Sequence, residues 1–193
     1  MANFNKKLIE WYSDNKRALP WKKNLDPYQI WLSEIILQQT RVEQGLPYYL
    51  KFISQYPTII DFANADIADI LKLWEGLGYY SRARNMHITA QNIRDNFDGK
   101  FPKSYNELKI LKGIGDYTAA AIASFAFGLP NAVVDGNVFR FLARYFGIAI
   151  PIDTTIGKKY FQEKAQLLIN TKKPGEHNQA MMDFGALICT PKK

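Results

Sequence analysis

The stretch LKGIGDYTAAAIASFAFG, residues 111 to 128, sets two glycines around one isoleucine and follows them with a tyrosine and an alanine-rich run of good helix propensity. A short helix ending near Leu111 can meet a second helix starting near Asp116, because Gly113 and Gly115 permit backbone angles that a Cβ resists. Ile114, between them, is then directed into a core. The first N–H groups of the second helix lack intrahelical partners and point outward at its positive dipole end, a setting that suits a DNA phosphate. A bare Gly-x-Gly is also what a helix C-cap followed by a new helix leaves behind.

On both sides of this hairpin the apolar residues recur at three- and four-residue spacings, and sustained alternation is scarce, so the fold class is all-α. Helices are expected near 4–14, 28–39, 40–55, 66–74, 80–95, 104–110, 116–127, 137–146, 154–169 and 175–188, joined by short links rich in Pro, Gly, Asn and Asp. With 193 residues and 47% hydrophobic content the chain can build a sizeable core, as one domain or two interleaved lobes. No run reaches the roughly 20 apolar residues a membrane span requires, and the N-terminus has no apolar signal core, so a cytoplasmic protein without a membrane partner is expected.

Charge and aromatic content point to one class of partner. Lys and Arg number 25 against 18 acidic residues, a net charge of +7, and 11 tyrosines and 4 tryptophans accompany it. Basic charge attracts polyanions and aromatic faces stack on bases, so nucleic acid is the first partner to consider, beside a merely solvated lysine-rich surface. His87 and His177 are far apart without metal-ligand spacing and read as structural. The single Cys189 excludes an internal disulfide and any multi-cysteine metal site built by this chain alone. WEGLGYY, residues 74–80, has glycines but no phosphate-loop lysine, which argues against nucleotide hydrolysis.

Two carboxylates stand out. Glu34 lies inside DPYQIWLSEIILQQT, residues 26–40, a largely apolar helix with Asp26 as N-cap and Pro27 at its first position. Among Ile30, Trp31, Leu37 and Gln38 a carboxyl group is favoured in its protonated form, which suits a general acid; a glutamate on the helix's polar edge is the plainer reading. Asp135 closes the apolar run 132–134 and precedes an amphipathic helix, as a cap, a catalytic group or both. An ionised carboxylate tied to backbone amides beside a protonated partner is the acid-and-stabiliser arrangement for cleaving a glycosidic bond.

LPWKKN (19–24), IWLSEIILQQTRV (30–42), LWEGLGYYSRARN (73–85), KFP (100–102), the hairpin, VVDGNVFRFLARYF (133–146) and NQAMMDFGALICT (178–190) occur in one order from about Trp11 to Cys189. Together they resemble the catalytic domain of adenine DNA glycosylases of the MutY type, in the endonuclease III superfamily of helix-hairpin-helix glycosylases. The resemblance implies two helical lobes, about 25–132 with the hairpin at 108–120, and about 1–24 plus 133–193, with the active site in the cleft between them. It implies base excision repair: hydrolysis of the N-glycosidic bond of adenine mispaired with 8-oxoguanine or guanine in double-stranded DNA, by a monomer that associates with the nucleoid if bacterial.

By the same resemblance Glu34 protonates adenine and helps activate water, and Asp135 stabilises or transiently attacks the sugar cation, with Asn137 positioning Asp135 or the water. The base leaves the stack, and a mispair lowers that cost. Gln39 and Tyr79 match wedge positions, Gln38 and Thr40 stand beside the mispaired partner, and Trp21, Lys22 and Gln179 line the adenine pocket; without the resemblance these residues read as helix ends and core aromatics. Arg82 and Arg84 contact phosphate or remain solvated. Bifunctional relatives carry a lysine at the position of Tyr117 and form an imine with it, so tyrosine implies a monofunctional enzyme, Lys112 being a weak substitute.

Cys189 matches the first of four ligands of a [4Fe-4S] cluster, and the chain stops at CTPKK, so the cluster is expected only in a longer parent. The family's C-terminal domain that recognises 8-oxoguanine is also missing, which implies weaker mispair specificity. A monovalent cation bridging carbonyls of residues 110–116 to phosphate is a further expectation. The alternatives are a damaged-pyrimidine glycosylase with lyase activity and a non-catalytic hairpin that only binds DNA.

Overall fold

Short acceptors write most of the helix starts. The computed structural model describes residues 2–192, and these contain eleven α-helices, one 3-10 turn and no strand. In chain order the helices are α1 Ala2–Asn15, α2 Pro27–Ile36, α3 Val42–Gln55, α4 Ile59–Asn64, α5 Ile67–Leu73, α6 Ser81–Asn96, α7 Tyr105–Ile110, α8 Asp116–Phe127, α9 Gly136–Phe146, α10 Thr155–Leu168 and α11 Pro174–Leu187, with the 3-10 turn at Pro20–Lys22. Asp26, Thr58, Asp66, Ser104, Asp135 and Thr154 each accept a backbone N–H of the first turn that follows, satisfying a donor with no helical partner.

The ten expected helices are all present, with two differences. Helix α4 was hidden because six residues are too few for a periodicity; its signal was the reciprocal cap between Thr58 and Asp61. Helix α2 stops at Ile36, three residues before its expected end, and Gln39 turns into the left-handed region with φ of 57°.

The described chain divides into two compact units. The first holds the segment Trp21–Ile122, comprising α2 to α7 and the start of α8. Its core is aromatic: Trp31 meets the edges of Phe62 and Phe101 at 6.1 and 5.6 Å, and Phe52 meets Trp74 at 5.9 Å. Edge-to-face pairs of this kind contribute roughly 0.5–1.5 kcal/mol each beyond their area. The second unit joins the segment through Pro20 to everything from Ala123 onward, so α1 packs with α9, α10 and α11 around Tyr12, Val138, Leu142, Phe161 and Met181. The end of α8 belongs to this unit because Ser124 is engaged by α11: Asn178 Nδ2 donates to its Oγ at 2.9 Å.

No helix of the described residues is long and apolar enough to cross a membrane.

Candidate active site

The hairpin turns at one left-handed glycine. Gly113 has φ of 79°, and a Cβ there would stand 3.0 Å from Asn85 Cβ. Gly115 is different from the sequence expectation: its φ is not positive, and a Cβ would meet nothing within 4 Å. What its bare Cα provides is open approach to the first amides of α8, since both it and Asp116 are exposed. Ile114 is buried, as the hairpin requires, and Thr89 Oγ donates to Lys112 O at 2.7 Å, pinning the turn to α6. Asp116 places a negative charge at this end, and Lys109 at 2.5 Å and the Tyr105 hydroxyl at 2.8 Å hold its carboxyl below the usual range and offset the charge.

The turn of the hairpin delivers Tyr117 to the first turn of α8, where its hydroxyl donates to Glu34 Oε2 at 2.8 Å across 83 residues of sequence. Glu34 sits on α2 with 8% of its surface exposed, among Ile30, Trp31 and Ile35. A carboxyl group in such a place needs partners, and a phenol is one that supplies a proton-bearing donor without a competing charge. In the same unit Gln39 and Tyr79 are exposed and both have left-handed backbone, φ 57° and 46°. Arg84 is exposed, whereas Arg82 corrects the expectation of a phosphate-bound or solvated side chain: its guanidinium turns inward onto main-chain carbonyls. Gln38, Thr40 and Lys22 are half-buried, and Trp21 is 6% exposed with its ring edge on Tyr49 at 5.0 Å.

In the second unit Asp135 caps α9 and also receives a side chain. Its Oδ1 accepts from Val138 N and its Oδ2 from Asn137 Nδ2, both at 2.8 Å. Both carboxyl oxygens therefore act as acceptors. Asn137 is itself oriented by Arg140, whose Nη2 donates to Asn137 Oδ1 at 2.8 Å and to Gly185 O at 2.6 Å, while its Nε donates to Cys189 O at 2.5 Å. The close approach of α11 to α9 needs Gly185, where a Cβ would lie 2.5 Å from Asn137 O.

Arg140 and Asn178 escaped the sequence reading. Arg140 stands three residues after Asn137 on one helical face, a usable signal, but its reach to Gly185 and Cys189 depends on tertiary packing. Asn178 receives Val133 N at 3.1 Å and donates to Asn131 O at 2.8 Å, so it shapes the segment leading into Asp135; its neighbour Gln179 is half-buried. His177 is buried, and burial pushes its imidazole down to about 4. His87 packs edge-on against Phe62 at 6.3 Å.

Cys189 Sγ accepts from Arg144 Nη1 at 3.4 Å. It is the chain's single cysteine, and among the described residues no three His, Cys, Asp or Glu side chains gather as metal ligands. A cluster held by four thiolates does not fit this donor set.

Residues 32–170 match the HhH-GPD superfamily base excision DNA repair protein family. The adenine DNA glycosylase of Buchnera aphidicola subsp. Baizongia pistaciae is 43% identical over 191 residues, covering 96% of this chain and 53% of the relative; that of Rattus norvegicus is 40% identical over 199 residues, covering 98% and 39%. The chain thus spans about half, or less, of the length of these relatives. Among solved structures, a thermostable thymine-DNA glycosylase superposes with a TM-score of 0.90 at 30% identity over 100% of this chain and 88% of its own. Endonuclease III in a trapped covalent intermediate with DNA gives 0.82 at 20% identity over 98% and 86%, a likeness of fold. The match over more than half of its residues, on a hairpin and helices of the same architecture, makes this chain a member of the HhH-GPD superfamily of base excision DNA repair proteins.

Proposed function

We propose that this chain is the catalytic portion of a monofunctional adenine DNA glycosylase, which hydrolyses the N-glycosidic bond of adenine mispaired with 8-oxoguanine or guanine in double-stranded DNA. The observation that carries this reading is the Tyr117–Glu34 pair at 2.8 Å: the hairpin delivers a phenol, not an amine, to a buried carboxyl group. A phenol cannot form an imine with the sugar, so chemistry falls to acid catalysis and water. Similarity to adenine DNA glycosylases over nearly the whole chain supports the choice of base.

Glu34 gives its proton to N7 of the flipped adenine; the C1′–N9 bond breaks, and its electron pair leaves with the base. The Asp135 carboxylate balances the positive sugar, or bonds to C1′ and is displaced, and Asn137 holds its orientation. Water adds to C1′, and its proton passes to the Glu34 carboxylate, which restores the acid. Trp21, Lys22 and Gln179 receive the base, and of the three Trp21 has the least surface to offer. Gln39 and Tyr79 fill the gap in the duplex, with Gln38 and Thr40 next to the orphaned partner. The amides following Gly113 and Gly115 hold a backbone phosphate, an anchoring contact that reads no sequence, and a monovalent cation on carbonyls of 110–116 belongs to the same reading. Cys189 enters only as the first ligand of a cluster whose other thiolates this chain does not supply.

The likeness to a thymine-DNA glycosylase supports a second reading, removal of thymine. Single-turnover incubation with duplexes holding A·8-oxoguanine, A·G, T·G or oxidised thymine, with the free base identified, separates the two. Adenine from the first two duplexes supports the proposal, and release of thymine or oxidised thymine alone overturns it.

A further inference from the structure

Among the described residues three non-glycine residues have left-handed backbone, and two of them, Gln39 and Tyr79, are exposed and are the residues read above as wedges. Both conformations are unfavourable for a side chain with a Cβ and persist only where surrounding contacts enforce them. One side chain supplies those contacts to both loops. Arg82 Nη1 donates to Ile35 O at 2.9 Å and Gln38 O at 2.7 Å, while Nη2 donates to Leu77 O at 3.1 Å and Gly78 O at 3.4 Å. Gln38 O and Gly78 O each belong to the peptide that directly precedes a left-handed residue. The guanidinium also lies over the rings of Trp74, at 5.1 Å, and Tyr79, at 5.7 Å, and Trp74 Nε1 donates to Gly78 O at 2.9 Å.

No carboxylate pairs with Arg82 among the described residues, so its charge is met by carbonyl dipoles and ring faces. The planar fork is what allows one group to serve two segments; a lysine ammonium would have the charge without the two-sided geometry. Asp98, the third left-handed residue, lies in the turn after α6, where its neighbour Gly99 donates to Ile93 O; it has no such clamp.

We propose that Arg82 is a positioning residue which, by clamping the carbonyls of residues 35–38 and 77–78 with a single guanidinium, presents Gln39 and Tyr79 as one preassembled two-pronged wedge. This rests on the reading of Gln39 and Tyr79 as wedges. Preassembly means that the left-handed loops are in place before DNA arrives, so opening a base pair does not also have to order them.

The test is a double-mutant comparison read by single-turnover adenine release and by the fluorescence of 2-aminopurine placed at the flipped position. Arg82→Lys lowers both by about ten-fold or more in the otherwise unchanged protein, the scale expected of a small misplacement. In a Gln39→Ala, Tyr79→Ala background the same substitution has little further effect. Equal losses in both backgrounds overturn the proposal, because Arg82 would then act without the wedges. Arg82→Gln, whose amide can serve one segment but not both, repeats the comparison if the lysine variant does not fold. Failure of the wedge reading shows separately, as unchanged fluorescence when Gln39 and Tyr79 are removed. The clamp is then judged by amide hydrogen exchange of residues 37–40 and 77–80, which speeds up together in Arg82→Lys if the clamp exists and stays unchanged if it does not.

Discussion

The Tyr117 hydroxyl donates to Glu34 Oε2 at 2.8 Å, joining the first turn of α8 to the last turn of α2. That bond fixes one carboxyl oxygen, and in the proposed reaction it sets a phenol, not an amine, beside the sugar. Tyr117→Phe keeps the ring and removes the donor, so single-turnover adenine release is expected to fall by about ten-fold, within the range for a hydrogen bond worth about 1 kcal/mol or more. Tyr117→Lys places an amine beside Glu34, and borohydride then traps a protein–DNA adduct that the unsubstituted chain does not form. Absence of any adduct from the lysine variant on an abasic duplex would show that the side chain does not face the sugar.

Asp135 depends on a chain of orientation running from Gly185 O and Arg140 through Asn137. Asn137→Ala leaves the Val138 N–H cap in place, so the helix should persist while the carboxylate loses its side-chain donor. The rate is expected to fall by about ten- to a hundred-fold with the thermal midpoint shifted by only a few degrees. An unfolded variant, or an unchanged rate, would contradict this division of labour.

The glycines separate stability from binding. At Gly185 a Cβ would stand 2.5 Å from Asn137 O, an overlap with backbone that cannot be relieved by a rotamer. Gly185→Ala should cost about 1–3 kcal/mol in urea unfolding. Gly115→Ala meets nothing within 4 Å and has no positive φ to resist, so stability should be unchanged or raised by up to about 1 kcal/mol. Its effect should fall on duplex affinity, measured by fluorescence anisotropy at one salt concentration, since the added methyl would stand at the amides proposed to hold a phosphate.

His177 makes stability depend on pH with a definite sign. Burial pushes the folded imidazole down to about 4, and its Nδ1 has no hydrogen-bond partner. An unfolded imidazole titrates near 6.5, so above that value both states are neutral and this residue adds no slope. As pH falls from about 6.5 to about 4 the unfolded chain takes up a proton that the folded chain refuses, and stability drops by about 3 kcal/mol in total. Urea midpoints measured across that window should fall for the unsubstituted chain, and the part of the slope due to His177 should vanish in His177→Leu.

Much of this was legible in the chain before its structure. Helix periodicity, short acceptor caps and the Gly-Ile-Gly punctuation locate ten of the eleven helices, because those signals are local. The carboxylate at Glu34 was visible as a charge on an apolar helix. What sequence could not show depends on tertiary contact: that Tyr117 reaches Glu34, that Arg140 bridges Asn137 and Gly185, and that Arg82 turns inward although a surface arginine between two tyrosines and an exposed helix face looks solvated. Gly115 was misread for a related reason. Glycine at a helix start suggests a special dihedral angle, whereas here its use is the absence of a side chain in open space.

The proposed chemistry stands on Glu34 as the acid of an imine-free base excision. It is tested most directly by single-turnover release of adenine from an A·8-oxoguanine duplex in the presence of borohydride, comparing the unsubstituted chain with Glu34→Gln. Free adenine without a trapped adduct is expected, with a loss of about a hundred- to ten-thousand-fold on substitution, the range for a lost general acid. Adenine release that survives Glu34→Gln at a comparable rate, or an adduct trapped by the unsubstituted chain, would contradict it.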